Sequence, residues 1–189
     1  MKDLICRALP LSVLIASAGL AVSAENNPPG YVDFGTLPAP SSGGEFVEVN
    51  VKNNLISMIA RLAEKNEPEV ADLLRHLQMV RVNVIGLDDG NRAEIEKRVK
   101  KIRSDLDSHG WERVVTAQKH EQDVSVYIKM RDKDAVQGLA VVALDGKEHA
   151  VFANIVGDIR PDQLALLGEK LHIDPLKKLG RGKEKRSAD

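Results

Sequence analysis

The chain has 189 residues, 43% of them hydrophobic and 29% charged, which is enough for one domain with a real core. Aromatic residues make up only 3%, which argues against an aromatic-lined sugar or nucleic-acid platform, because stacking needs rings. A formal net charge of -1 gives no global drive toward nucleic acid.

The first stretch reads MKDLICRALPLSVLIASAGLAVSA. Lys2 and Arg7 form a basic flank, Leu9 to Val22 is apolar, and Val22, Ser23 and Ala24 put small residues where signal peptidase needs them. This predicts a secretory signal over residues 1–24, cleaved after Ala24, with Glu25 as the first mature residue. The alternative is an uncleaved anchor, but the apolar run falls short of the about 20 residues that span a bilayer. Cys6 is the single cysteine and precedes the apolar segment, so it is not the acceptor of a lipoprotein anchor. The mature chain would hold no cysteine, which excludes disulfides and thiol catalysis. The expected location is periplasmic or secreted.

Residues 25–44 are rich in Pro, Gly, Ser and Asn and predict a flexible, extended leader, in which Tyr31 and Phe34 can dock on the domain. Glu45–Val51 alternates like a short strand. Asn53 or Asn54 then caps a helix carrying Leu55, Ile56, Met58, Ile59, Leu62 and Ala63. Asn66 with Glu69 resembles a capping box ahead of a second helix with Val70, Leu73, Leu74 and Leu77, and the pair reads as a helical hairpin bent at Pro68. Met79–Gly86 alternates as a half-buried strand, with Val80, Val82 and Val84 inward and Arg81 and Asn83 outward. Asn91 with Glu94 caps the clearest helix, whose stripe is Ile95, Val99, Ile102 and Leu106; Gly110 ends it.

Four strands follow, near Trp111–Lys119, Asp123–Met130, Val136–Leu144 and Glu148–Val156. Val124, Val126, Ile128 and Met130 face one way against Asp123, Ser125, Tyr127 and Lys129. Asp145-Gly146 predicts a two-residue hairpin, placing Val142 opposite His149 and Ala140 opposite Val151. The last two strands are apolar on both faces, with Leu139, Val141 and Ala143 on one and Ala140, Val142 and Leu144 on the other. Something must therefore cover the second face: the helical pair at residues 54–77, or a second protein. The fold expected is α+β, a single domain over 45–175 with a mainly antiparallel sheet of about five strands and helices packed on it. Met79–Gly86, the helix Asn91–His109 and Trp111–Lys119 would make a right-handed crossover, followed by the four-strand meander. Residues 176–189 form a basic tail, offering at most peripheral contact with an anionic membrane.

The segment VFANIVGDIRPDQLALLGEKL poses the question of a site. Pro161 as first helical residue puts Asp162 in the first turn, and Ile159 with Leu164 has the spacing of a hydrophobic staple. Arg160 is a poor cap, so an oxygen from Asp158 is expected there, with Gly157 at a sharp exit from the strand. Most of the segment thus reads as a joint between strand and helix. Asn154 reads as a satisfied core amide. Asn154, Asp158 and His149 are the binding candidates the sequence offers. His76, His109, His120, His149 and His172 show no ligand spacing, and no catalytic or metal motif is legible. Asp88-Asp89-Gly90-Asn91 begins like a calcium loop but lacks its later acids, so a turn and helix cap explain it. No catalytic residue, cofactor or metal ligand is assigned.

The order EVNV, helix, EPEVADLLRHLQMVRVNVIG, long helix, then Val/Ala-rich strands ending in NIVGDIRPDQLALL resembles the bacterial secreted family described as domain of unknown function 4252. The resemblance covers roughly Glu45 to Ile173. It implies an envelope or secreted protein, often with a lipid anchor or signal, and no assigned activity. Such genes often lie near extracytoplasmic sigma-factor systems, which implies a link to envelope stress. No cysteine follows the apolar segment, which departs from the anchored members. The function expected is non-catalytic: binding of an envelope protein, or self-association as a homo-oligomer. The alternatives are a carrier of a small apolar ligand and a hydrolase with dispersed residues.

Overall fold

A computed structural model describes residues 27–170 apart from 42, 120, 121, 133, 134 and 147. The expected signal, the basic tail, His120 and His172 lie outside the described residues. In chain order the elements are β1 (Phe46–Lys52), α1 (Asn53–Ala63), α2 (Pro68–His76), β2 (Leu77–Gly86), α3 (Arg92–Ser108), β3 (Glu112–Lys119), β4 (Gln122–Met130), β5 (Val136–Asp145), β6 (His149–Ile159) and α4 (Pro161–Lys170). The fold is α+β. The strands form one antiparallel sheet of six, one more than expected, in the order β1-β2-β6-β5-β4-β3. β3 to β6 make the meander. β2 and β3 run parallel with β6, β5 and β4 between them, so α3 connects them as a crossover.

Both faces of the central strands are covered from within the chain. On the first face, Val126, Leu139, Val141 and Ile155 meet Ile56 of α1, Leu73 of α2, and Leu164 and Leu167 of α4. On the second, Tyr127, Ala140, Val142 and Phe152 meet the α3 stripe Ile95, Val99, Ile102 and Leu106, together with Val32 and Phe34. The helical pair α1–α2 thus covers only the first face. The second is closed by α3 and by the segment before β1. The β5–β6 hairpin itself needs no partner to exclude water.

That upstream segment reverses the expected sidedness of β2. Phe34 is fully buried, with its ring 5.6 Å from that of Phe152. Arg81 donates to the Tyr31 hydroxyl at 2.7 Å, and its guanidinium lies over the Tyr31 and Phe34 rings at 5.3 and 5.6 Å. Asn83, expected outward, is buried, whereas Val80, Val82 and Val84 are half-buried. β4 is likewise buried on both faces, since Ser125 and Tyr127 lie inside.

The β5–β6 register also differs from expectation. Asp145 pairs with His149, Val142 with Phe152 and Ala140 with Asn154. Gly146 takes φ 58°, but the loop is longer than two residues, with Glu148 N–H donating to Asp145 C=O at 3.1 Å. The three-position shift puts Phe152 and Asn154, not His149 and Val151, beside Val142 and Ala140. Helix starts differ too. α1 and α2 have no side-chain cap; Asn53 lies in the first turn of α1 and Asn66 lies ahead of the Glu67 cap position.

Asn154 is the polar tie of this architecture. Its Oδ1 accepts from Val32 N–H at 2.9 Å, and its Nδ2 donates to Gly30 C=O at 3.0 Å and Leu139 C=O at 3.1 Å. It stands 0% exposed on β6 and fastens the upstream segment to the sheet. Asn154→Ala leaves these backbone groups short of partners and is expected to cost about 2–4 kcal/mol in urea denaturation. A loss under about 0.5 kcal/mol would show that the tie contributes little.

Candidate functional site

The three sequence candidates do not converge. His149 and Asp158 sit at opposite ends of β6, about 30 Å of strand apart. Asn154 is interior and fully hydrogen-bonded. His149 Nε2 lies 3.2 Å from Glu45 Oε2. Asp158 is bound by Arg131 at 2.8 Å and supplies no cap to α4. Gln163 does so: its Oε1 accepts from Arg160 N–H at 3.1 Å, the reciprocal half of a capping box. Ile159 and Leu164 join the same buried cluster, as a staple requires. Gly157 is needed less for a sharp exit than for close approach, since an added Cβ would stand 2.4 Å from His76 C=O.

The joint between α2 and α4 holds a small polar cluster. Asp72 accepts from Arg160 at 2.8 Å and Gln163 at 3.1 Å, beside a groove of about 470 Å³ that also touches Pro68, Glu69 and Leu166. The hydrogen bond from Arg160 holds the Asp72 carboxyl below its ordinary value, against an opposing effect of burial. A second groove, about 460 Å³, separates Tyr31, Val32 and Asp33 from the Lys101–Leu106 stretch of α3 and the following His109. Each groove is walled by charged side chains, and their lining carries no nucleophile paired with a base.

Several other polar groups are engaged within their own turns. His76 Nδ1 lies 2.7 Å from Asp72 C=O, and His109 Nδ1 lies 2.6 Å from Asp105 C=O, each inside its own helix turn. Asp88 Oδ1 accepts from Gly90 and Asn91 N–H, while buried Asn91 returns a bond from its Nδ2 to Gly86 C=O, so this loop is a turn leading into α3. Among the described residues no group of three or more His, Cys, Asp or Glu is placed to hold a metal ion. Beneath α3, Arg103 pairs with Asp123 at 2.6 Å and the Arg113 guanidinium lies 5.1 Å from the Tyr127 ring centre. Burial pushes the Tyr127 phenol up, and the nearby Arg113 charge opposes it.

The feature that stands apart is apolar and lies on the other side. α1 buries Ile56 and Ala60, yet Leu55, Met58, Ile59 and Leu62 recur at i, i+3, i+4 and i+7 and are exposed, Leu62 at 72%. α1 is therefore apolar on two stripes. The signal was present in the sequence: seven of eleven residues in NNLISMIARLA are apolar, more than one buried face can use. β1 precedes α1 directly, occupies a sheet edge, and exposes Phe46, Val47 and Val49. Val47 and Val49 pair with Val84 and Val82, which are half-buried, so the apolar surface continues inward onto the first face. Neither Asn154, Asp158 nor His149 belongs to it.

A family model, Domain of unknown function (DUF4252), matches residues 42–167, two-thirds of the chain and all ten elements to within a few residues. The chain belongs to the DUF4252 family. The match begins just before β1 and ends within α4, so β1 and α1 are part of what the family model describes. Comparisons with curated proteins and with solved structures find no match. Among the described residues no helix is long and apolar enough to cross a membrane.

The two stripes of α1 make opposite predictions. Ile56→Ala should cost about 2–4 kcal/mol in chemical denaturation, as a core truncation does. Leu62→Gln should leave stability within about 0.5 kcal/mol of the parent. A core-sized loss at Leu62 would mean that its stripe is packed within the fold.

Proposed function

We propose that this DUF4252 chain is an exported, non-catalytic protein that works by binding protein through β1 and α1. The observation that carries the reading is the exposed Leu55–Met58–Ile59–Leu62 stripe beside an apolar sheet edge. Exposing these side chains to water has a cost, and burying each large one against a partner recovers a share of the roughly 1.5–3 kcal/mol that full burial of such a side chain contributes. Export rests on the basic flank, short apolar run and small residues of the first 24 positions. A binding role fits the way the polar groups are used: Asn154 and Asn91 in the interior, and the half-exposed Asp72–Arg160–Gln163 cluster, hold segments of the fold together. The partner expected is an envelope protein or a second copy, and the neutral, apolar character of the stripe does not suit nucleic acid.

A photo-crosslinking residue at Leu62 tests this in living cells. The expected result is a discrete protein adduct from Leu62 and none from the same probe at Lys100, on the exposed side of α3. Equal labelling at both positions, or none at either, would contradict the reading.

A further inference from the structure

Resting on that reading of the surface, we infer that the partner of β1 is β1 of a second copy, paired antiparallel about a two-fold axis through Asn50. Three observations fix the occupant and its register. The first is the contrast between the two sheet edges. β3 carries a register shift between Arg113 and Val115, an irregularity of the kind that blunts edges. β1 pairs with β2 over seven residues without any shift, so its outer edge is straight and offers backbone groups from Phe46 to the Lys52 N–H.

The second is hydrogen-bond phase. Gly86 N–H donates to Glu45 C=O at 2.7 Å, so Glu45 is turned toward β2. In an antiparallel ladder the groups alternate, so Val47, Val49 and Val51 also bond inward and Phe46, Glu48 and Asn50 present theirs outward, joined by the Lys52 N–H, since the Lys52 C=O is taken by the first turn of α1. A second strand can bond only to this even-numbered set.

The third is charge. A two-fold through Asn50 sets Glu48 opposite Lys52 of the second copy, and Lys52 opposite its Glu48, all within the outward-bonding set. On the other face Val49 meets Val51 of the second copy. Moving the axis to Glu48 would set that carboxylate against itself, and moving it to Val49 would pair Glu48 with Asn50 and Phe46 with Lys52. Among the described residues neither Glu48 nor Lys52 has an ion-pair partner of its own. The Asn50 register is thus the one that matches both hydrogen-bond phase and charge, and the result is a closed, isologous pair with one sheet running through both copies.

Sedimentation velocity on the full chain purified from the cell envelope, across a concentration series, tests the assignment. The parent should show a monomer–dimer equilibrium. Glu48→Lys and Lys52→Glu should each weaken it by about tenfold or more, since both symmetric contacts become like-charged. An equimolar mixture of the two variants should recover dimer at close to parental affinity, because each mixed pair regains opposite charges at both contacts. Asn50→Pro should abolish the dimer with the far-ultraviolet spectrum unchanged, since the N–H it removes points away from β2. A parent that stays monomeric throughout would overturn the inference, as would a dimer indifferent to the charge reversals or not recovered on mixing. A monomeric parent that still gives a Leu62 adduct with a different protein overturns this inference and leaves the wider reading of the surface intact.

Discussion

β5 and β6 lose the inside–outside alternation that a half-exposed strand keeps, and this determines how the chain must be built. Leu139 and Val141 on one face and Ala140 and Val142 on the other are all removed from water, and so are their partners Ile155 and Phe152 across the hairpin. A sheet of this kind needs two covers. The chain makes the first from α1, α2 and α4, and the second from α3 with the segment around Val32 and Phe34. Connectivity follows from the same need. Because β2 is continued by α3 across the second face, β3 can only return at the far edge, and the meander then brings β6 back beside β2.

The second cover is incomplete without a polar tie. An extended segment brings backbone groups onto an apolar sheet, and each must find a partner there. Asn154 supplies three such bonds at once, to Gly30, Val32 and Leu139, and Arg81 adds a bond and two ring contacts. The buried amide that reads in the sequence as a satisfied core group is satisfied by the chain's own backbone. The cover on the first face is uneven in a different way. The helices cluster where β1 ends and β2 begins, and leave Val47, Val49 and the outer stripe of α1 in water. That asymmetry, closed on one face and partly open on the other, is the basis for placing function at β1 and α1.

Much of this was legible in the residues. Periodicity located every helix and strand, since alternating valines, the 3.6-residue stripe of α3 and the proline at the start of α4 each have one local meaning. Registers and faces were not legible, because they are decided by what lands on the strand. Arg81 and Asn83 looked solvent-facing until Phe34, separated from them by some fifty residues, was laid over them. The hairpin at Gly146 was visible but its length was not, since one more loop residue on either side changes every cross-strand pair. The binding candidates Asn154, Asp158 and His149 stand out in the sequence by chemistry alone, and the structure scatters them along β6. The surface that matters was instead signalled by excess, in a short helix with more apolar residues than one face can bury.

The terminal hairpin is sealed on both sides by the chain's own elements. Residue-resolved hydrogen exchange at low protein concentration tests this most directly. Amides of Leu139–Val142 and Phe152–Val156 are expected to exchange only through global unfolding even where the protein is dilute enough to be monomeric. Fast exchange in β5 and β6 by local opening, suppressed as concentration rises, would show that a partner is needed to complete the core and would contradict that seal.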